Sequence, residues 1–347
     1  MSRRYIWSEL VPYSVVGSAA VQSALVEHGV TPIVAVRPGD PAAVARLLCS
    51  YREAGLEVAL WPMLDDADGR WASAANAERF CGFVWALLDD LEARAATPVA
   101  LALDLEPPIE RMRRLLRGQL RPPADRGAAA IGHYRALLRS LAERDISVFA
   151  AIVPPVLVGS PAARRGWQRF LETPVDALPF ARLSAMLYTS LLEGYSRQLV
   201  SRADARALLD RHARAACDLF GERASVSLGA VGIGALGDEQ TYRSLAELSD
   251  DVAVVRAAGI DDIALFNLGG ALARPPLSDW LRVLVTTPAA TARPPSTWRA
   301  ALCWHLLRAA GRSADLLLGG AAETIDAAVE AEAEATAAPE RVGADRS

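Results

Sequence analysis

Lysine is missing from this sequence. All 37 residues in the Lys+Arg count are arginines, set against 41 acidic residues and a formal net charge of -4. Without lysine, the chain has no Schiff-base lysine and no phosphate-binding P-loop lysine. There is also no arginine-rich run with interleaved aromatic residues, so we expect no nucleic-acid partner.

Long apolar runs are also missing. Every apolar stretch is interrupted well before the roughly 18 residues that a membrane helix needs. The opening residues, M-S-R-R-Y-I-W-S-E-L, contain no apolar segment long enough for a secretory signal. The sequence therefore predicts no membrane partner and a cytoplasmic location.

Cysteine and histidine are scarce, with four of each, and they are scattered along the chain. No two of them have the spacing of metal ligands, and no histidine falls at the end of a predicted strand. We expect buried free thiols, no metal site and no cofactor. The residues are Cys49, Cys81, Cys217, Cys303, His28, His133, His212 and His305.

Short apolar runs alternate with longer segments of helical periodicity, which is typical of parallel βα units. Eight strands are predicted to begin near Tyr5, Pro32, Val58, Val99, Ser147, Leu183, Ser225 and Asp262. The helical segments between them are 18–27, 41–54, 76–95, 126–144, 166–171, 201–220 and 244–258. Eight such units favour an α/β fold of the (β/α)8 TIM type, which commonly needs about 250 residues.

The pattern changes near the C-terminus. We assign 1–287 to the barrel, 288–320 to a linker and helical extension, and 321–347 to a disordered tail rich in Ala and Glu. The extension is predicted to form one helix over 296–310. Its apolar stripe would consist of Trp298, Leu302, Leu306 and Leu307.

The segment 99–108, V-A-L-A-L-D-L-E-P-P, predicts a buried strand that ends in two carboxylates. Because strand side chains alternate between faces, Asp104 and Glu106 share one face, and leucines occupy the other. Barrel enzymes place their chemistry at this end of the strands. Two neighbouring carboxyl groups disfavour double ionisation, so one can keep a proton near neutral pH and act as a general acid. The alternatives are an ion pair with an arginine, or a helix cap before Ile109.

The same residues resemble the fourth strand of the chitinase-like glycoside hydrolases, whose motif is D-x-x-D-x-D-x-E. The resemblance implies that Glu106 protonates the glycosidic oxygen and that Asp104 assists the N-acetyl group of the substrate. The M-x-Y-D motif of that family is similar to Met186-Leu187-Tyr188-Thr189, which implies that Tyr188 steadies the same group.

The sequence departs from the family pattern at several positions. The two earlier acids of the strand motif are Val99 and Ala102, and Thr189 replaces the Asp that follows the tyrosine. Phe266 and Asn267 stand where the family commonly has a tryptophan floor. The resemblance therefore covers the barrel as an architecture and only a few residues as chemistry.

Further residues near strand ends could bind a sugar. Glu9 follows the first strand on the face of Tyr5 and Trp7, and Asp65 follows the third, where a polar turn is the alternative. Trp61 and Trp71 could stack on sugar rings, although large rings are more often simply packed. With Asn267, the predicted substrate-binding set is Glu9, Trp61, Asp65, Trp71 and Asn267.

A competing signal comes from glycine. The seventh and eighth units end in L-G-A-V-G-I-G-A-L-G and N-L-G-G, and barrels often bind phosphate with Gly-rich loops at these places. An anion would then lie near Gly232, Gly234, Gly269 and Gly270. The alternative is that these glycines only allow tight turns.

The sequence thus predicts a glycoside hydrolase-like enzyme that acts on a carbohydrate by general acid catalysis. Two alternatives stay open: a non-catalytic carbohydrate-binding or scaffold barrel, and a phosphate-binding barrel enzyme. The sequence does not specify the sugar, the linkage, the stereochemical outcome or the oligomeric state.

Overall fold

The computed structural model describes residues 3–124, 126–196 and 199–319. Within them, eight parallel strands pair in chain order, and the last pairs with the first to close a barrel. The strands are β1 (Arg4–Ser8), β2 (Val30–Val36), β3 (Ala59–Pro62), β4 (Ala100–Leu105), β5 (Ser147–Ile152), β6 (Arg182–Met186), β7 (Ala224–Gly229) and β8 (Ile263–Phe266). The (β/α)8 fold predicted from the sequence is confirmed, and each predicted strand start lies within two residues of the observed one.

Helices surround the barrel and extend beyond it. They are α1 (Tyr13–Val16), α2 (Ala19–His28), α3 (Pro41–Glu53), α4 (Ala77–Glu92), α5 (Ile109–Leu116), α6 (Gly127–Glu143), α7 (Pro161–Leu171), α8 (Thr189–Tyr195), α9 (Arg202–Phe220), α10 (Leu245–Ala257), α11 (Leu268–Ala273), α12 (Leu277–Thr286) and α13 (Trp298–Leu318). Short 3-10 turns follow β3, β5 and α9.

The barrel interior is filled by aromatic rings from three strands. Trp7 contacts Trp61 edge-on with ring centroids 4.8 Å apart, and Phe149 lies 5.4 Å from Tyr5 and 6.2 Å from Trp7. Rings of this size leave room only for small neighbours, which explains the alanine at position 102 on the inner face of β4. The leucines on the opposite face of β4 are fully buried against the helices.

One barrel helix is longer than predicted. The sequence predicted a segment over 166–171, whereas α7 begins at Pro161, and the Ser160 hydroxyl accepts a hydrogen bond from the Ala163 amide. Ser at the N-cap followed by Pro at the first helical position is a strong helix start. The start signal thus lies five residues before the periodic segment.

The C-terminal helix α13 lies on α7, where two glycines let the backbones meet. A Cβ added to Gly166 would lie 2.0 Å from the carbonyl oxygen of Gly311. The predicted apolar stripe was wrong, because Trp298 is 71% exposed and Leu306 59% exposed. The buried positions of the helix are Ala300 and Gly311. Because the backbone of α13 packs closely on α7 at these glycines, the side of α13 that faces the protein is not its most apolar side.

The predicted disordered tail, 321–347, lies outside the described residues. None of the helices in the part of the chain that is described has the length and apolar character needed to cross a membrane.

Candidate active site

The carboxyl ends of the strands surround a cavity of about 480 Å³. Asp104 lies on the inner face of β4, is 4% exposed and lines this cavity. Glu106 follows β4 on the same side and is half-buried in the cavity wall. The two acids whose pairing was predicted from strand alternation therefore face one open space.

Burial raises the pKa of both carboxyl groups. For Asp104 the pKa rises well above its usual range because of burial, then because of the charges of Glu106 and Glu9. For Glu106 burial and the charge of Glu9 raise the pKa to about 8. A hydrogen bond between the two groups raises the pKa of Asp104 and lowers that of Glu106. Burial therefore favours the protonated form of both groups, and Glu106, with a pKa of about 8, is mostly protonated at neutral pH.

The structure does not favour the two alternatives for this pair. Among the residues described, no arginine forms an ion pair with Asp104 or Glu106. Helix α5 begins after Pro108 without a side-chain cap. An acid that neither pairs with a cation nor caps a helix costs stability through its burial, which makes it a candidate for function.

A third carboxylate reaches the cavity from β1. Glu9 lies just beyond the strand, and its Oε1 accepts a hydrogen bond of 2.7 Å from Nη1 of Arg70. Both side chains are buried, at 2% exposed for Glu9 and 8% for Arg70. Burial raises the pKa of Glu9, and the charge of Arg70 opposes that rise. Glu9 is therefore the carboxylate of the site that has a cation beside it.

Tyr188 stands between the end of β6 and the start of α8, and it faces the same cavity. Its ring stacks on Phe266 at 5.4 Å, with 26° between the planes. Burial raises the pKa of the Tyr188 phenol well above its usual value, and the three carboxyl groups add to the rise. A hydrogen bond with Ser227 opposes it. The phenol therefore stays protonated and can donate a hydrogen bond into the cavity.

Thr189, which replaces an acid of the family motif, belongs to a buried polar cluster behind Tyr188. Its hydroxyl donates to Asp251 and accepts from Arg202 at 2.6 Å. Asp251, which is fully buried, also accepts from Arg202 and from the Tyr242 hydroxyl, each at 2.9 Å. These bonds tie the start of α8 to α10, so they fix the backbone that carries Tyr188.

Three tryptophans form the aromatic part of the cavity wall. Trp7, Trp61 and Trp71 are each no more than 5% exposed and all line the cavity. Trp71 is held by the loop after β3, where the carbonyl of Ala72 accepts a 3.2 Å hydrogen bond from the amide of Glu106. This bond joins the loop to the end of β4 and brings Trp71 beside the acids.

Two members of the predicted substrate-binding set do not line this cavity. Asp65 is exposed in the turn after β3, where its carbonyl accepts from the amides of Asp68 and Arg70. Asn267 is buried, and its side chain accepts from the Gly270 amide and donates to the carbonyl of Ile233. Asp65 thus belongs to a polar turn, and Asn267 to the packing of loops.

The Gly-rich loops after β7 and β8 pack against one another. A Cβ on Gly270 would lie 2.2 Å from the amide nitrogen of Gly232, so these glycines allow two backbones to touch. The Gly270 amide already donates to Asn267. The nearby Arg274 guanidinium donates to the carbonyls of Tyr242 and Arg243. Because the Gly270 amide and the Arg274 guanidinium already have acceptors, neither is left to bind an anion here.

Sequence reasoning missed two charged residues of the site. Arg70 lies in the polar turn that begins at Asp65, and the sequence D-G-R after a strand end is a signal for a cation near the acids. Glu239, in the loop after β7, is 9% exposed, lines the cavity and accepts a 2.8 Å bond from the Leu236 amide. In the sequence, the Gly-rich run before Glu239 suggested that backbone amides bind an anion, and it gave no signal for this side chain.

Within residues 3–124, 126–196 and 199–319, no group of three or more His, Cys, Asp or Glu side chains could hold a metal ion. The four cysteines are free, and Cys81 is buried.

Comparison with known proteins gives structural neighbours only. No protein-family model matches the chain, and no curated protein matches it in sequence. The glycoside hydrolase domain of PgaB (BpsB) from Bordetella bronchiseptica is similar with a TM-score of 0.52 and 11% identity, over 83% of this chain and 100% of that domain. A chitinase from Chromobacterium violaceum has a TM-score of 0.44 and 11% identity, over 82% of this chain and 98% of its own. A D-allulose 3-epimerase from Methylomonas sp. has a TM-score of 0.43 and 14% identity, over 82% and 94%.

At these identities the similarity shows the fold alone. It supports a TIM barrel of the kind that glycoside hydrolases use. Because the same fold supports many reactions, the reaction has to be argued from the site.

Proposed function

We propose that this protein is a glycoside hydrolase-like enzyme that cleaves a glycan by general acid catalysis. The observation that carries the proposal is the Asp104–Glu106 pair. Two carboxyl groups with raised pKa values face one cavity, without an arginine bound to either in the described residues. The glycoside hydrolase domain of PgaB, which has the same fold, is consistent with it.

Glu106 is the proposed general acid. Protonation of a glycosidic oxygen needs a carboxylic acid that still holds its proton at the working pH. With a pKa of about 8, Glu106 meets that condition at neutral pH. Asp104 donates to Glu106 and helps the Glu106 carboxylate to form as its proton leaves.

Asp104 and Tyr188 are proposed to orient the sugar. Following the family resemblance, they would hold an N-acetyl group whose oxygen assists departure of the leaving group. The phenol of Tyr188 supplies a donor, since its raised pKa keeps it protonated. Trp71 would pack against an apolar sugar face. Glu9 would stabilise the positive charge that develops on the sugar in the transition state.

The charge of the cavity favours a neutral sugar. Carboxyl groups of Glu9, Asp104, Glu106 and Glu239 line it, and no arginine is among its lining residues in the described part of the chain. A phosphosugar or a uronic acid would bring a negative charge among these carboxyl groups, and the nearby cation, Arg70, is already paired with Glu9 and Asp66. A neutral N-acetylhexosamine carries no such penalty.

A non-catalytic carbohydrate-binding barrel is the second candidate. It is favoured by Ala102 and Thr189, which stand where the chitinase-like motif has acids. In this case the same cavity would bind a glycan and release it unchanged.

Turnover on chromogenic N-acetylhexosaminides and on oligosaccharides of N-acetylglucosamine separates these functions. We expect Glu106→Gln to lower kcat by at least a factor of about 100, in the range of general acid contributions, while KM or Kd changes little. Glu78→Gln, which makes the same change at an exposed position on α4 outside the cavity, is the matched control. Binding without turnover by the unmodified protein would support the second candidate, and undiminished turnover by Glu106→Gln would refute the proposal.

A further inference from the structure

The cavity that holds the acids is also lined by side chains from α8, α9 and α13, and we call this part of it the apolar branch. The lining residues of this branch are Leu191, Leu192, Leu208, His212, Cys303 and Leu307. The carboxyl groups that line the cavity come instead from the ends of β1 and β4 and from the loop after β7. The cavity therefore has one end that carries acids and one that carries hydrocarbon.

The packing of α13 against two neighbouring helices places its side chains at this part of the cavity. The glycines Gly166 and Gly311 draw α13 tightly against α7. On its other side, α13 contacts α9 through Ala300 beside Leu208 and through Trp304 beside His212. Leu192 and Cys303 pack against the same cluster and also line the cavity, so the cavity reaches the place where α8, α9 and α13 meet.

The branch carries no charge at neutral pH. His212, its polar residue with a buried ring, donates from Nδ1 to the carbonyl of Leu208 at 2.8 Å and packs edge-on against Trp304 at 5.0 Å. Burial lowers the pKa of His212 to about 4, so the ring is neutral at pH 7. Burial also raises the pKa of the Cys303 thiol, which stays protonated.

We propose that this branch binds the apolar aglycone of the substrate, an alkyl or acyl chain attached to the sugar. The inference rests on the proposed function and specifies its substrate as an amphiphilic glycoside. An open apolar surface next to a sugar site is costly unless a ligand covers it, and each buried methylene favours binding. The total volume of about 480 Å³ lies within the usual range for small ligands and exceeds the space that one sugar ring fills.

The chain-length dependence of binding tests this assignment. Calorimetry would measure Kd for n-alkyl β-N-acetylglucosaminides from methyl to octyl, with the full chain carrying Glu106→Gln so that no substrate is consumed. Burial of about 0.8 kcal/mol per methylene corresponds to a Kd that falls about two- to fourfold for each added carbon. A Kd that does not change with chain length would overturn the inference.

Two variants test whether the alkyl chain of the glycoside lies in the branch. Cys303→Trp fills it and is expected to abolish the chain-length dependence, whereas Leu302→Trp, at the neighbouring position that is 49% exposed, keeps it. Leu192→Trp fills the branch from α8 and serves if Cys303→Trp does not fold. A dependence that survives both filling variants would place the chain elsewhere and refute the inference.

A second series separates this inference from the proposed function. Straight-chain alkanols from butanol to octanol carry no sugar, so they report on the branch alone. If alkanol binding depends on chain length but no glycoside is bound or cleaved, the proposed function fails and the apolar site stands. If glycosides are cleaved but neither series depends on chain length, the apolar site fails and the function stands.

Discussion

Glu9 and Arg70 form a buried ion pair, with Oε1 and Nη1 2.7 Å apart, beside the two acids of β4. Arg70 opposes the rise in the pKa of Glu9 that burial causes, and so favours the charged form of Glu9. The charge of Glu9 in turn keeps the pKa of Glu106 raised. The Glu9–Arg70 pair therefore affects the pKa of the proposed general acid, Glu106, through the charge of Glu9.

The first prediction concerns the pH dependence of turnover. Because the acid form of Glu106 is needed and its pKa is about 8, kcat/KM should fall as the pH rises through about 8. Glu9→Gln removes the negative charge that raises this pKa, so the alkaline limb should move to lower pH by roughly half a unit or more. A pH–rate profile from 5 to 10 for both proteins measures the displacement.

Asp65→Asn is the matched control for this displacement. It removes one negative charge from an exposed turn that does not line the cavity, so the alkaline limb should not move. An alkaline limb that stays in place in Glu9→Gln would contradict the role given to Glu9.

The second prediction concerns stability. Glu106 has a folded-state pKa of about 8, above the value of about 4.3 expected in the unfolded chain. The unfolded chain therefore releases its proton first, and ionisation of Glu106 destabilises the fold progressively as the pH rises from about 4 to 8. Glu106→Gln lacks this ionisation, so its stability advantage over the unmodified protein should grow across that window and then level off.

Thermal unfolding at pH 4, 6 and 8 checks the sign. Ionisation of one group contributes at most about 1.4 kcal/mol per pH unit, so the Tm difference between Glu106→Gln and the unmodified protein should increase by several degrees or more from pH 4 to pH 8. Equal Tm differences at all three pH values would show that Glu106 is not the group with the raised pKa.

The third prediction tests the ion pair itself. Arg70→Met leaves the Glu9 carboxylate buried without its cation, which should cost about 3–5 kcal/mol of unfolding free energy. The double variant Glu9→Leu/Arg70→Met removes both charges and should recover at least half of that loss. Denaturant unfolding of the two single variants and the double variant gives the coupling energy. Additive effects would mean that the pair does not act as a unit.

The barrel and the acids of β4 could be predicted from the sequence because both depend on local periodicity. Alternation along a strand assigns Asp104 and Glu106 to one face before any partner is known. The same reasoning could not separate Glu9 from Asp65, since both follow a strand end. The loop after β3 makes a turn that exposes Asp65, and only the closed barrel shows that Glu9 points inward.

The features that could not be predicted depend on packing between residues that are far apart in the sequence. The helical periodicity of 296–310 predicted an apolar stripe. Periodicity within one helix, however, does not show which other element that helix packs against. That partner is the helix surface around Gly166, and a glycine that fits another backbone leaves no hydrophobic pattern. Glu239 could not be assigned for a related reason, because the loop that carries it has no periodicity.

The last prediction follows from the glycine contact between α7 and α13. In Gly166→Ala the new Cβ would lie 2.0 Å from the Gly311 carbonyl oxygen and 2.5 Å from the Asp315 amide nitrogen, so the helices must separate. Overpacking of this kind should cost about 1–3 kcal/mol and make α13 more accessible to protease. Gly132→Ala in α6 is the control, because its Cβ meets nothing within 4 Å and alanine favours a helix by about 0.5–1 kcal/mol. Since α13 also forms one wall of the apolar branch, Gly166→Ala should weaken octyl glycoside binding more than methyl glycoside binding. Unchanged stability and protease resistance in Gly166→Ala would show that the two helices do not meet at these glycines.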